Sequence, residues 1–196
     1  MSKIKKELYS KSPEWFLSYI EQTNQKQILI ENIKKTLEML PIQADQDFVF
    51  TDIGAGNGVI TLPIVHFLND EKRTHLTTNV IEYSDALAAI IQRKLEKDNL
   101  LENTNIYCNH MEDVAIPESD FILAAHVLLY LDDVHKELER IWIVMMFNSE
   151  RSLDLNSCLI GGMILMRELL LFSTIDTQPV FEKQWNLPLI FLRFLI

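Results

Sequence analysis

The stretch Thr51 to Ile60, TDIGAGNGVI, sets three of the chain's five glycines at alternate positions directly after an apolar run. The run before it, FVFTDI (48–53), has the character of a short buried strand, and an amphipathic segment follows. Glycine at that density lets the backbone turn tightly and lets a partner touch it without intervening side chains. A strand–glycine turn–helix unit of this kind is where an open α/β sheet meets a nucleotide-like ligand. A plain turn also collects glycine, so the flanking residues have to decide between the two.

Three features narrow the choice. No Gly-Lys-Ser/Thr follows, which removes a phosphate loop, since that loop needs its lysine on the β- and γ-phosphates. The spacing Gly54-x-Gly56-x-Gly58 departs from the G-x-G-x-x-G of dinucleotide sites, and Asp52 lies two residues before the first glycine. Glu82 ends the next apolar run, NVIEYS (79–84), where a carboxylate accepts hydrogen bonds from both hydroxyls of a ribose. The alternative for Glu82 is a strand-end carboxylate in solvent.

The rest of the chain alternates in the same way. Ser12-Pro13-Glu14 is a helix-start signal, with Trp15, Phe16, Tyr19 and Ile20 behind it as an apolar face. A second helix carries Ile28, Ile30, Ile33, Leu37 and Leu40 and ends before Pro41. After the glycines a helix runs from about Asn57 to Leu68, with Pro63 implying a late start or a kink. Ala86 to Leu95 reads as helix, with Leu87, Ile90, Ile91 and Leu95 on one face. NIYCNH (105–110) and DFILAAHV (120–127) read as strands three and four, Asp133 to Met145 as helix, and Gly161-Gly162-MILM as a fifth strand. Strands and helices alternating at this spacing specify an α/β fold: a Rossmann-like, mostly parallel sheet with helices on both faces. The expected organisation is a single domain over 1–196, with an N-terminal helical cap (1–41), a cofactor-binding core (48–168) and a short apolar tail (169–196) that shortens the C-terminal end of the sheet.

Charge and composition exclude several classes. A net charge of −10 disfavours nucleic acid and anionic membrane as partners, because most of the exterior would repel them. Cys108 and Cys158 are far apart without a CxxC pair, as expected of reduced thiols. His66, His75, His110, His126 and His135 show neither HxxxH nor HExxH spacing, so no metal site is expected. The apolar stretch 158–175 is interrupted by Arg167 and Glu168, and the N-terminus lacks a signal-peptide core. The expectation is a cytoplasmic protein.

DIGAGNG, then VIEYS, then DFILAAHVLLYLDD together resemble the class I S-adenosylmethionine-dependent methyltransferases, over roughly residues 48–168. The resemblance implies S-adenosyl-L-methionine as cofactor, with Asp52, Gly54, Ala55, Gly56 and Gly58 passing under its methionine and ribose parts. It implies Glu82 on the ribose hydroxyls with Tyr83 beside it, and the turn His110-Met111-Glu112-Asp113 flanking the adenine, with His110, Met111 and Glu112 as the contacts. The arrangement VIEYS…LLENTNIYCNHMED…FILAAHVLLYLDD is similar to the histamine N-methyltransferase group, two N-terminal helices included. In that group those helices wall an amine pocket and a polar residue on the fourth strand faces the substrate. His126 falls at that position here, and Asn24 stands where that group has an acid.

Methyl transfer from a sulfonium mainly requires placing a lone pair in line with the methyl carbon and excluding water. His126 and Tyr130, near the C-terminal end of the fourth strand, are the candidates for positioning the acceptor, and His126 also for contacting cofactor. The alternatives are a packed histidine at a strand end and a tyrosine that serves as pocket wall. No (N/D)PP(Y/F) follows the fourth strand, which with the negative charge points away from nucleobase and glutamine acceptors toward a small molecule; the resemblance to the histamine N-methyltransferase group implies nitrogen as the methylated atom. Two other readings stand beside this one. The short tail would leave a sheet edge exposed, so the chain is alternatively an inactive methyltransferase-like module that binds cofactor or a protein partner, with a homodimer forming through that edge. An NAD-dependent oxidoreductase is disfavoured by the glycine spacing.

Overall fold

A computed structural model of the protein describes residues 25–125, 127 and 131–148. The helix expected from Ser12, the strand expected from Gly161 and the apolar tail lie outside these residues, as do Asn24, His126, Tyr130 and Cys158.

The first element is helix α1 (Gln25–Met39). Its buried face is Leu29, Ile33, Thr36, Leu37 and Leu40, a run at three- and four-residue spacing. Ile28, expected on that face, is instead 51% exposed, because the face is rotated by one position onto Leu29. Strand β1 (Asp47–Ile53) then supplies Phe48 and Phe50, both fully buried, against α1 and against helix α2 (Thr61–His66). Helix α2 begins four residues later than Asn57. Pro63 therefore falls in the first turn, where its missing N–H costs nothing, and a wider helical turn, Phe67–Glu71, continues the element.

Strand β2 (His75–Ile81) starts four residues earlier than expected and ends before Glu82. Its first half alternates exposed His75 and Thr77 with buried Leu76 and Thr78, a polar alternation that hydrophobicity alone does not mark. Helix α3 (Asp85–Lys97) follows at once, capped by the Ser84 side chain, with Asp85 in its first turn and Lys94 and Lys97 in its last, as the helix dipole favours. Strand β3 (Thr104–Tyr107) and strand β4 (Phe121–Leu123) are shorter than the segments 105–110 and 120–127. The residues past each strand leave the sheet to form the walls described below. Helix α4 (Val134–Asn148) closes the described chain, and the Lys136 N–H donates to Asp133 Oδ1 at its start.

The four strands form one all-parallel sheet in the order β3-β2-β1-β4. Helices α1 and α2 pack on one face through Phe48, Phe50, Leu76 and Phe121, and α3 joins them there through Ile91 and Leu95 on Val80. Helix α4 packs on the opposite face, Leu138 and Ile141 meeting Ile53, Ile81 and Ile122. Each such aliphatic or aromatic side chain removed from water contributes about 1.5–3 kcal/mol. The α4 face also holds a line of side-chain hydrogen bonds that runs across the strands. Asn105 donates to Asn79 (3.0 Å), Asn79 to Thr51 (3.2 Å), Thr51 meets Ser119 (2.6 Å), and Ser119 donates to the Pro117 carbonyl (2.8 Å). Since Ser119 donates onward, Thr51 is the donor in its pair. The loop entering β4 is fastened further by Asp120, which accepts from Val49 N–H at 2.7 Å and donates its own N–H to the Val49 carbonyl at 2.8 Å.

Candidate functional site

Where β1 and β2 end, the chain opens into a cavity. Gly54 N–H donates to the Ile81 carbonyl at 2.7 Å, so the first glycine leaves the sheet still tied to β2. All three glycines have positive φ, at 72°, 60° and 76°. Two of them are also required by packing. A Cβ on Gly54 would come within 2.8 Å of Val127, and one on Gly58 within 2.6 Å of Ile91. Gly58 is therefore spent on seating the loop against α3, and it does not line the cavity. The wall on this side is made by Gly54, Ala55, Gly56 and Asn57.

Glu82 stands across from the loop, 3% exposed. Its Oε2 accepts from Gly56 N–H at 2.7 Å and its Oε1 from Ser84 N–H at 2.9 Å, with the Tyr83 N–H also directed to the carboxylate. Burial pushes the Glu82 pKa up, and these backbone donors and His110 pull it back. Beside Glu82, the rings of Tyr83 and His110 stack with centroids 5.0 Å apart and planes 15° from parallel, and both line the cavity. Met111 and Glu112 continue this wall. The turn that carries them, Met111–Asp113, is held from α4: Arg140 donates to the Met111 carbonyl (3.3 Å), the Glu112 carbonyl (3.4 Å) and the Val114 carbonyl, and pairs with buried Glu137.

Asp52, 2% exposed, also lines the cavity. Thr61 Oγ1 donates to its Oδ2 at 2.6 Å. Burial raises the Asp52 pKa from 3.8 to about 7; Thr61 and the Lys26 ammonium act to lower it, and Glu82 to raise it. Lys26, from the first turn of α1, lines the cavity as well. Ala125, Val127 and Leu131 supply an apolar flank.

Of the residues singled out from the sequence, the structure thus brings Asp52, Gly54, Ala55, Gly56, Glu82, Tyr83, His110, Met111 and Glu112 around one cavity. His126 and Tyr130 lie outside the described residues. Lys26 was not singled out. It is one lysine in the polar run EQTNQKQ, and nothing local marks it; it reaches the site because Leu29, Ile33 and Leu37 dock α1 beside β1.

The arrangement has clear chemical capacities. Glu82 retains acceptor capacity toward a diol, since each carboxylate oxygen has two lone-pair sites. The stacked Tyr83–His110 pair offers a flat wall for a planar ring. Lys26 adds a cation to the lining, and Asp52 a carboxyl that titrates near neutrality. Cys108 is a free thiol that donates to Asp85 at 2.9 Å, and burial followed by Asp85 pushes its pKa to about 11, far from thiolate chemistry. Among the described residues no cluster of His, Cys, Asp and Glu could hold a metal ion, and no helix is long and apolar enough to cross a membrane.

No protein-family model and no curated protein matches the chain. Solved structures do resemble it. The mitomycin 7-O-methyltransferase MmcR aligns with a TM-score of 0.52 and 19% identity, over 70% of this chain and 38% of its own. An S-adenosylmethionine-dependent methyltransferase from Leishmania major aligns with a TM-score of 0.46 and 21% identity, over 60% and 44%. The [4+2]-cyclase SpnF aligns with a TM-score of 0.47 and 17% identity, over 59% and 40%. The chain therefore spans less than half the length of each of these structures. At such identities the likeness is one of fold, and the fold is the Rossmann-like α/β sheet seen in MmcR.

Proposed function

We propose that this chain is an S-adenosylmethionine-dependent methyltransferase acting on a small molecule. The observation that carries the reading is Glu82, a buried carboxylate one residue past β2, hydrogen-bonded to Gly56 of the glycine turn on the cavity wall. A nucleoside ribose needs an acceptor pair beside exposed backbone, and that is what this pairing offers. The fold shared with MmcR, a methyltransferase by name, supports the same reading.

The residues present suit the cofactor. Glu82 would accept from the ribose hydroxyls. Tyr83, His110, Met111 and Glu112 would flank the adenine. Gly54, Ala55 and Gly56 would lie along the ribose and methionine, with Lys26 toward the carboxylate of the amino-acid end and Asp52 toward its ammonium. When bound, S-adenosylmethionine supplies a sulfonium methyl whose transfer needs alignment more than acid–base help. Ala125, Val127 and Leu131 would keep water from that side. His126 and Tyr130 are proposed to position the acceptor. Nitrogen is the proposed methyl acceptor atom, on the resemblance to the histamine N-methyltransferase group; oxygen, as in the name of MmcR, is the alternative. A second copy pairing along a sheet edge is the proposed protein partner, β3 and β4 being the edges among the described residues; size-exclusion chromatography tests it.

Titration calorimetry with S-adenosylmethionine and with NAD tests the cofactor assignment. Heat is expected with the first and none with the second, and silence with S-adenosylmethionine ends this reading. A protein that binds it yet methylates nothing across a panel of amines, phenols and acids is the inactive module instead.

A further inference from the structure

Besides Glu82, a second charged side chain holds the glycine turn. Lys94, in the last turn of α3, reaches back to the turn, and its ammonium donates to the Asn57 carbonyl at 2.8 Å. That carbonyl belongs to the peptide whose N–H is Gly58, and Gly58 N–H donates to the Ala55 carbonyl at 3.0 Å. Two peptides earlier in the turn, Gly56 N–H is bound by Glu82 at 2.7 Å.

Two peptides of the turn, those whose N–H groups are Gly56 and Gly58, are thus pinned by opposite charges, one by an anion at its N–H and one by a cation at its carbonyl. A peptide next to a glycine flips at small steric cost, because glycine accepts positive and negative φ alike. The packing of Gly58 against Ile91 and Leu62 fixes where the turn sits, and the Gly58 N–H bond to the Ala55 carbonyl holds the N–H end of the Asn57–Gly58 peptide. The hydrogen bond from the charged donor of Lys94 holds the carbonyl end of that same peptide, and is the stronger of the two bonds against a flip. The ammonium has given up water to make it, as the lowered pKa of this part-buried lysine reflects. We infer that Lys94 is a positioning residue: by holding the Asn57 carbonyl toward α3 it fixes the peptide orientation of the glycine turn and so presents Ala55, Gly56 and Asn57 to the cavity in the ligand-receptive form. The consequence for affinity rests on the proposed cofactor; the consequence for the turn does not.

The test compares wild type, Lys94→Met, Lys94→Arg and, as a helix α3 packing control, Leu95→Met, by calorimetry with S-adenosylmethionine and by amide hydrogen exchange without ligand. Lys94→Met keeps the apolar stem and removes the charged donor. Its Kd should rise roughly ten-fold, the scale of one charge-assisted hydrogen bond, with Tm held within about 4 °C. Lys94→Arg should recover most of the affinity. In the ligand-free protein, the Gly56 and Gly58 amides should exchange faster in Lys94→Met than in wild type. An unchanged Kd in Lys94→Met, or an equal loss in Leu95→Met at matched Tm, overturns the inference. If wild type fails to bind S-adenosylmethionine, the cofactor reading falls, and the exchange comparison still decides the role of Lys94: unaltered rates refute it and faster rates support it.

Discussion

Asp52 and Glu82 are two buried carboxylates at the ends of adjacent parallel strands, and they are solvated in opposite ways. Asp52 is met by one hydroxyl, from Thr61, with the Lys26 ammonium acting at longer range. Glu82 sits in a cradle of backbone N–H groups from Gly56, Tyr83 and Ser84. Burial raises both, but with so few donors Asp52 reaches about 7, close to neutrality. Position at a strand end therefore does not set the chemistry of an acid; the donors that the neighbouring loops aim at it do. Asp52 is poised to exchange a proton, while the N–H cradle organises Glu82 as an acceptor.

The largest effect expected from this contrast is on stability against pH. Folded Asp52 holds its proton to about pH 7, against an ordinary value of 3.8. Its contribution is complete below that ordinary value and is lost as pH rises through the folded one, on the order of 4 kcal/mol at the limit. Denaturant unfolding from pH 4 to 8 should show Asp52→Asn gaining on wild type across that window, and parallel curves would break the contrast. Second in size is Glu82→Gln, which sets an amide against the N–H cradle. It should weaken S-adenosylmethionine binding by about 1–3 kcal/mol in calorimetry, and unchanged affinity would remove Glu82 from the site.

Lys26→Met sharpens the comparison further. The Asp52 titration should move upward, since one of its lowering influences is gone, while Glu82, held by its N–H cradle and His110, should keep its own; carboxyl-carbon NMR reads both. The smallest effect is at the surface. His66 contacts Asp70 at 3.0 Å and Asp98 at 3.1 Å, and its pKa is raised chiefly by Asp98. Its stabilisation is full below the ordinary histidine value of 6.5 and fades as pH rises through the raised folded one. With the ring 42% exposed, His66→Gln should cost less than about 1 kcal/mol at pH 5.5 and nothing measurable at pH 9.

What was legible in the sequence was what local pattern controls. FVFTDI is β1 because phenylalanines at alternate positions must share one covered face. The glycine turn was legible as a turn, but the division of labour within it was not: that Gly58 serves Ile91 is a fact of tertiary contact. Strand β2 was read four residues short because His75 and Thr77 point to an uncovered part of the sheet. Ile28 and Leu29 have similar apolarity, and only the docking of α1 decides which is inside. Lys26, Lys94 and Arg140 reach the walls of the cavity from three different helices, and no spacing in the sequence announces such convergence.

The hydrogen-bonded line from Asn105 through Asn79 and Thr51 to Ser119 has a consequence at the other end of the strands. A slip of β2 along β1 by two residues would keep every side chain on its own face, so apolar burial alone penalises it weakly. It would also carry Glu82 roughly 7 Å from the level of Gly56, at the rise of a parallel strand. The four polar side chains work as a key that fits one alignment, and the distance between an acid and a glycine at the mouth is measured out by asparagines and a threonine lower in the sheet.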